Sequence, residues 1–448
     1  MSCRSALLLC AVLVACPRPT PQANELPSRA RDTDAEGYYA QPAGLADDFP
    51  EETTGPDKVR RVFTTARAAG AGYLRFGIGW DGVETAPGRY DWRLWDQVFR
   101  AAAETGVTPL PYVCYTPRWL NADPKDYWRR PPDDVARFGQ FMEAISRRYR
   151  APSWELWNEP DNELYWLGSA EQFARLVSSG AAGVHRGDPR AKIVLGGMSK
   201  GRSAFLEQTL RATAGVIDVV NLHGYLETWD ERRAEDYPRF IGEVAALAAE
   251  LTPRADLWLA EFGYSDWRRS DGRPSEWSYA VDPWEHTPAF QGVALLRAHA
   301  LALGTSVLSL TTWYRIDDLP PSEGVIGDDN NKHLGVLDVR GARKRAFAAL
   351  TLWNRLLSVP VRPVHAEAEG AVVRAFERRS GGTVVLAWLP SARSGDAPRP
   401  ADRIVRVRLP RGPAEVEVYD PATGERAGTA TLSRIHLRGD SIFVGVAR

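Results

Sequence analysis

Cysteine is nearly missing from this chain: there are four in 448 residues, and Cys3, Cys10 and Cys16 fall within the first sixteen positions. Only Cys114 remains for the body, which excludes a structural disulfide there. With no histidine near it in sequence, Cys114 reads as a small buried apolar residue rather than a nucleophile. Charge imbalance is missing as well, because 56 Lys and Arg face 57 Asp and Glu for a net charge of -1. That leaves no basic field for nucleic acid and no acidic tail, and it suits a neutral substrate. No glycine-rich phosphate loop follows the first strand candidate. The run Asp328-Asp329-Asn330-Asn331 lacks the spaced ligands and terminal glutamate of a calcium loop and reads as a turn, so neither a metal nor an organic cofactor is expected. What the chain does have is apolar mass, 44% hydrophobic and 10% aromatic residues with 16 tryptophans, enough for a sizeable core.

The N-terminus carries an address. Arg4 precedes an apolar run from Ala6 to Val14 that is too short to span a bilayer, and Leu13-Val14-Ala15-Cys16 closes it. The pattern is similar to a bacterial lipobox, which implies cleavage before Cys16 and lipidation of that cysteine; an ordinary cleaved signal is the rival reading. Residues 17–36, proline-rich and polar, read as a flexible tether. The expected product is an exported lipoprotein on the cell envelope, facing periplasm or cell surface, touching membrane only through its lipid and monomeric.

From residue 56 a helix-strand rhythm begins and runs to about residue 357. Strand candidates are 72–78, 107–115, 153–159, 192–197, 217–223, 257–262 and 307–313, with a faint first one at 37–43. Amphipathic helices separate them, such as the one opened by Pro56-Asp57 and the one whose Ser169 and Gln172 form a capping box. Apolar strands alternating with helices of ten or more residues predict parallel pairing, and the count predicts a (β/α)8 TIM barrel over 37–357. Beyond residue 357 short alternating strands separated by Gly381-Gly382 and Asp420-Pro421-Ala422-Thr423-Gly424 predict a small antiparallel β-sandwich over 358–448. This segment holds one tryptophan, Trp388, which suits packing better than a sugar platform.

Two stretches stand out within that frame. Ser153-Trp154-Glu155-Leu156-Trp157-Asn158-Glu159-Pro160 and Leu257-Trp258-Leu259-Ala260-Glu261-Phe262-Gly263 are apolar strands ending in a glutamate. In a barrel the C-terminal strand ends form the active face, so Glu159 and Glu261 would meet there. Two carboxylates on one face are what glycosidic bond cleavage requires, and a separation of about 5 to 5.5 Å would mark a retaining reaction.

With the strands placed, the motifs resemble clan A of the glycoside hydrolases, most closely family 39 and its relatives, over about residues 37–357. Tyr73-Leu74-Arg75-Phe76, Trp80 and Pro87-Gly88-Arg89-Tyr90-Asp91-Trp92 are similar to the second-strand region. Trp157-Asn158-Glu159-Pro160 resembles the acid/base motif, His223-Gly224-Tyr225 the sixth-strand pair and Glu261-Phe262-Gly263 the nucleophile motif. The resemblance implies a retaining hydrolase of β-linked oligo- or polysaccharide, with Glu159 as acid/base and Glu261 as nucleophile. It also implies substrate-side roles for Arg75, Asn158, His223, Tyr225 and Trp313: Arg75 would keep Glu261 anionic, Tyr225 would donate to it, Asn158 would hold a sugar 2-hydroxyl and Trp313 would offer a face to the ring.

Each assignment has a plain rival. Arg75 could serve only as the ion-pair partner of Glu155, His223 as a rim histidine and Trp313 as core. Trp80, Trp119 and Trp166 are expected near the cleft as packing residues. Glu84, Glu163, Asp317 and Asp318 are expected as solvated loop acids. The long loops 121–130 and 265–286 align with no one family. A non-catalytic carbohydrate-binding lipoprotein or a transglycosylase using the same intermediate would share these motifs.

Overall fold

The computed structural model describes residues 33–50, 53–121, 123, 125–325, 328–393, 402–410 and 415–447. The signal segment, the lipidation candidate Cys16 and the tether up to residue 32 lie outside the described residues. Among those described, no helix is long and apolar enough to cross a membrane.

Eight parallel strands close into a barrel in chain order. They are β1 (Ala43–Ala46), β2 (Tyr73–Gly79), β3 (Thr108–Cys114), β4 (Ser153–Asn158), β5 (Lys192–Gly197), β6 (Val219–His223), β7 (Asp256–Phe262) and β8 (Leu310–Tyr314). All six residues of β4 and all five of β6 are buried, which explains why these strands read as continuous apolar runs rather than alternating ones. The helix Ala170–Gly187 starts with the expected capping box: Ser169 Oγ accepts from the Gln172 amide at 3.2 Å while Gln172 Oε1 accepts from the Ser169 amide at 2.8 Å.

The first strand departs from the sequence expectation. It begins at Ala43 rather than near residue 37, because Tyr39 forms a bridge with Val361 of the C-terminal domain instead of joining the barrel. Three loop acids expected in solvent are also buried for a reason. Glu84 Oε2 accepts from Trp80 Nε1 at 2.7 Å and its Oε1 accepts from the Gly88 amide at 2.8 Å, while Asp318 receives Lys344 Nζ at 3.0 Å and the Gly335 amide at 2.8 Å. Asp317 is buried with them and pairs with Arg61 at 2.6 Å. Isolated acids in a sequence look solvated, but Glu84 turns back onto donors four residues away on either side, and Asp317 and Asp318 meet donors brought from other segments. Glu163 is exposed as expected, Cys114 is buried, and Asp328 caps a single turn at Asp329–Lys332.

The C-terminal region is antiparallel: a six-stranded sheet plus a two-stranded one. Its strand Thr383–Trp388 shows how it is seated. Val384, Leu386 and Trp388 join the core shared with the barrel, whereas Val385 and Ala387 face a separate core with Val405, Val407, Val416 and Leu437. The period of two divides one strand between domain core and domain seam. The barrel helix at that seam, Gln291–Leu303, is buried at every position because it is covered on both sides.

Candidate active site

Glu159 is the first residue past β4, and Glu261 is the penultimate residue of β7. Both therefore emerge at the C-terminal mouth of the barrel. The backbone there is tightly bent, with Trp157 at φ 85° and Glu159 at φ 44°, left-handed values that cost side-chain-bearing residues about 1–3 kcal/mol each. Packing holds them: Trp157 is fully buried against Trp166, their ring centroids 5.0 Å apart.

A carboxylate oxygen of Glu159, one of Glu261 and a ring nitrogen of His223 all lie within 4.8 Å of one another. The nearest oxygens of the two carboxyls are therefore close, in keeping with the about 5 to 5.5 Å between carboxyl groups that direct attack requires. Beneath the pair sits Arg75, 2% exposed, with every face of its guanidinium used. It donates from Nε and Nη2 to the two oxygens of Glu155 at 2.8 Å each, from Nη1 to Glu261 Oε2 at 2.6 Å and from Nη2 to Asn158 Oδ1 at 2.9 Å. The two sequence readings of Arg75 are thus both realised, because a planar fork can hold two acids at once. The ring of Tyr112 lies 4.2 Å from its centre.

The two glutamates have different surroundings. Tyr225 donates its hydroxyl to Glu261 Oε1 at 2.5 Å, so both oxygens of Glu261 meet donors, one of them a full cation. Burial raises its carboxyl, and the neighbouring His223 and Arg75 oppose that rise. Glu159 has weaker support: Asn162 Nδ2 at 3.1 Å and His223 Nδ1 at 2.9 Å. Burial, reinforced by the charge of Asp161, pushes it up to about 7. His223 itself is lowered to about 4 by burial, so its ring is neutral above that pH. Its position is set by Gly197, where an added Cβ would fall 2.0 Å from His223 Nε2. Both carboxyls are thus raised by burial, but only Glu261 has a full cation opposing the rise from hydrogen-bond distance, so the two stand in unlike surroundings.

The glutamates open into a cavity of about 320 Å³, walled by Tyr165, Trp229, Tyr314 and the rim residue Trp277, which is 49% exposed. Tyr314 is held by Asp48, which accepts from its hydroxyl at 2.8 Å and from that of Tyr112 at 3.1 Å. A larger cavity of about 1000 Å³ lies at the domain seam, but its acids include neither glutamate and the reacting geometry is confined to the smaller one.

Trp313 corrects the sequence expectation. It is 1% exposed, packed against Phe262 with ring centroids 5.1 Å apart, and takes no part in the cavity. Successive residues of a strand point to opposite sides, so it is Tyr314 that reaches the mouth. Of the other expected substrate-side residues, His223 and Tyr225 line the cavity, whereas Arg75 and Asn158 are buried behind the glutamates, joined to each other and, through Arg75, to Glu261. With its oxygen engaged by Arg75, Asn158 has only its amide N–H donors to offer a ligand. Sequence reasoning missed Asn162, Trp229, Trp277 and Tyr314, which lie in loops or at a strand end and carry no motif. Trp80, Trp119 and Trp166 pack as expected, Trp119 donating from Nε1 to the Glu84 carbonyl at 2.8 Å.

No family model and no curated protein matches the chain. Solved structures do share the fold. A family 39 glycoside hydrolase from Bacteroides cellulosilyticus WH2 superposes with a TM-score of 0.70 at 18% identity, over 91% of this chain and 81% of that one. A family 39 β-xylosidase from Caulobacter crescentus gives 0.60 at 14% identity over 91% and 96%, and a family 30 subfamily 8 xylanase from Clostridium acetobutylicum 0.60 at 15% over 92% and 97%. The barrel with its appended β-domain is the architecture of these clan A structures.

Burying Glu159 carries a cost in stability. Holding its carboxyl near 7 instead of 4.5 corresponds to up to about 3 kcal/mol, absent below the unfolded value and complete above 7. Glu159→Gln is therefore expected to raise the melting temperature at pH 8 and to leave it unchanged near pH 4, as measured by calorimetry.

Proposed function

We propose that this protein is a retaining glycoside hydrolase that cleaves β-linked oligo- or polysaccharide. The observation that carries the reading is the close pair of carboxyls in unlike environments, one backed by Arg75 and Tyr225, the other raised to about 7. Glu261 attacks the anomeric carbon as the glycosidic C–O bond breaks, and Glu159 gives its proton to the departing oxygen. Glu159 then takes a proton from water as that water displaces Glu261 from the glycosyl ester. The fold neighbours include xylosidases and xylanases, which puts β-xylosides first among the substrates to test. A transglycosylase would share the first half of this cycle.

The test is a panel of 4-nitrophenyl β-glycosides and β-linked polysaccharides, with the anomer first released followed by NMR. A β product supports the reading, an initial α product would refute retention, and silence across the panel with saturable glycan binding would favour a binding protein. Because Glu159 must be protonated to act, kcat/KM is expected to fall as pH rises through about 7, whereas its acid limb follows protonation of Glu261.

The N-terminal pattern supports an exported, lipid-anchored enzyme. Cys16→Ser is expected to abolish fatty-acid labelling and release the protein from membranes.

A further inference from the structure

Five charged side chains are enclosed where the barrel meets the C-terminal domain. Glu227, Arg233, Glu285 and Arg297 are each at most 4% exposed at the side chain and Glu235 is 20% exposed. Arg233 pairs with Glu285 and lies 3.2 Å from Glu227, and Arg297 donates to Glu235 at 2.9 Å. The C-terminal domain completes the set: Ser391 Oγ donates to Glu227 Oε1 at 2.9 Å and accepts from Arg297, and Trp388 Nε1 donates to Glu235 at 3.0 Å. Burying so many charges brings no general gain over packed apolar residues, so their arrangement calls for another purpose.

Glu227 occupies the pivotal place. It stands two residues after Tyr225, the donor to Glu261, and two before Trp229, a cleft wall whose ring centroid is 4.2 Å from that of Tyr225. Its backbone is left-handed, φ 68°, an uncommon state for a side-chain-bearing residue unless its surroundings impose it. Its carbonyl accepts from the Tyr279 amide at 3.0 Å and lies 3.0 Å from His286 Nε2, both in the loop that carries Trp277. Arg233 donates to the Tyr279 carbonyl at 2.6 Å, and Glu285 accepts from the Val281 amide at 2.5 Å. One residue thus ties both tryptophan-bearing loops to a hydroxyl of the other domain.

We infer that Glu227, held by Ser391, is a positioning residue through which the C-terminal domain sets the Trp229 and Trp277 walls of the cleft. The inference takes the glutamate pair as the active site, as proposed above. Neither Glu227 nor Ser391 touches the reacting atoms, so their effect falls on substrate binding rather than on bond cleavage.

The test compares the full chain with Ser391→Ala, with Ser391→Thr, which keeps the hydroxyl, and with Glu227→Gln, which keeps the shape. Amide hydrogen exchange without substrate is expected to quicken at least ten-fold in residues 226–234 and 278–286 of Ser391→Ala and Glu227→Gln, and to return toward wild type in Ser391→Thr. On the 4-nitrophenyl glycoside cleaved best, KM rises at least five-fold while kcat stays within two-fold. Unchanged exchange in these segments, or equal quickening everywhere, overturns the proposal. Faster exchange with an unmoved KM also overturns it, reducing Glu227 to a structural role. If no glycoside is cleaved, the catalytic reading falls, and the exchange data still decide whether the domain holds the loops.

Discussion

Glu261→Gln is expected to lower kcat on any good aryl glycoside by on the order of 10⁴-fold or more, with the fold intact. The amide keeps the size of the side chain, and its one oxygen can still accept from Arg75 while its NH2 donates to the Tyr225 hydroxyl, so the variant removes the nucleophile with little change in packing. Glu159→Ala behaves differently, and the contrast is the stronger test. Loss of the acid costs about 10²–10⁴-fold where the leaving group needs a proton and far less where it does not. Azide entering the vacated space should then attack the glycosyl-enzyme without base help and yield a β-glycosyl azide, identified by NMR. An α-azide, or rescue of Glu261→Gln in place of Glu159→Ala, would exchange or refute the two roles.

Replacing Arg75 by methionine is expected to cause the largest loss of stability of any single change in the site, about 3–5 kcal/mol at neutral pH in denaturant unfolding. The guanidinium is enclosed and neutralises Glu155 and Glu261 together, so removing it strands two acids without a counter-charge. The sign with pH follows. Burial already raises the Glu261 carboxyl and Arg75 opposes that rise, so without Arg75 it rises further and the loss is greatest where Glu261 is ionised; it shrinks as pH falls and Glu261 protonates. In the residual activity, the acid limb of the pH profile should move upward because Glu261 holds its proton longer, and kcat/KM should drop about 10²–10³-fold through lost charge support. An unshifted acid limb would show that Arg75 serves Glu155 alone.

Much of this was written in the chain's local patterns. Strands such as β4 and β7 are apolar runs bounded by turns, and a barrel's geometry dictates that acids at their ends converge. That convergence was legible for Glu159 and Glu261 because each stands at a strand end, where position along the strand converts to position in space; Arg75, Asn158, His223 and Tyr225 were legible through the resemblance of their motifs to family 39. Trp313 shows the limit. It and Tyr314 are adjacent aromatics, and a shift of one residue decides which one faces the cavity. Asp318 was misread as solvated because its donor Lys344 arrives by folding, and Glu84 because the local turn that brings Trp80 and the Gly88 amide to it carries no sequence signal.

The sequence by itself thus determined the barrel, the appended sandwich and the two carboxyls that meet at the barrel mouth, since these follow from periodicity and from residues at strand ends. Tertiary structure alone decided that Glu159 is raised to about 7 while Arg75 opposes the rise of Glu261, which aromatics wall the cleft, and that the second domain reaches the loops of that cleft through Ser391 and Glu227. The physical reason is that proton affinity and cleft shape depend on burial and on donors many residues away, as with Arg75 and Glu261, 186 positions apart.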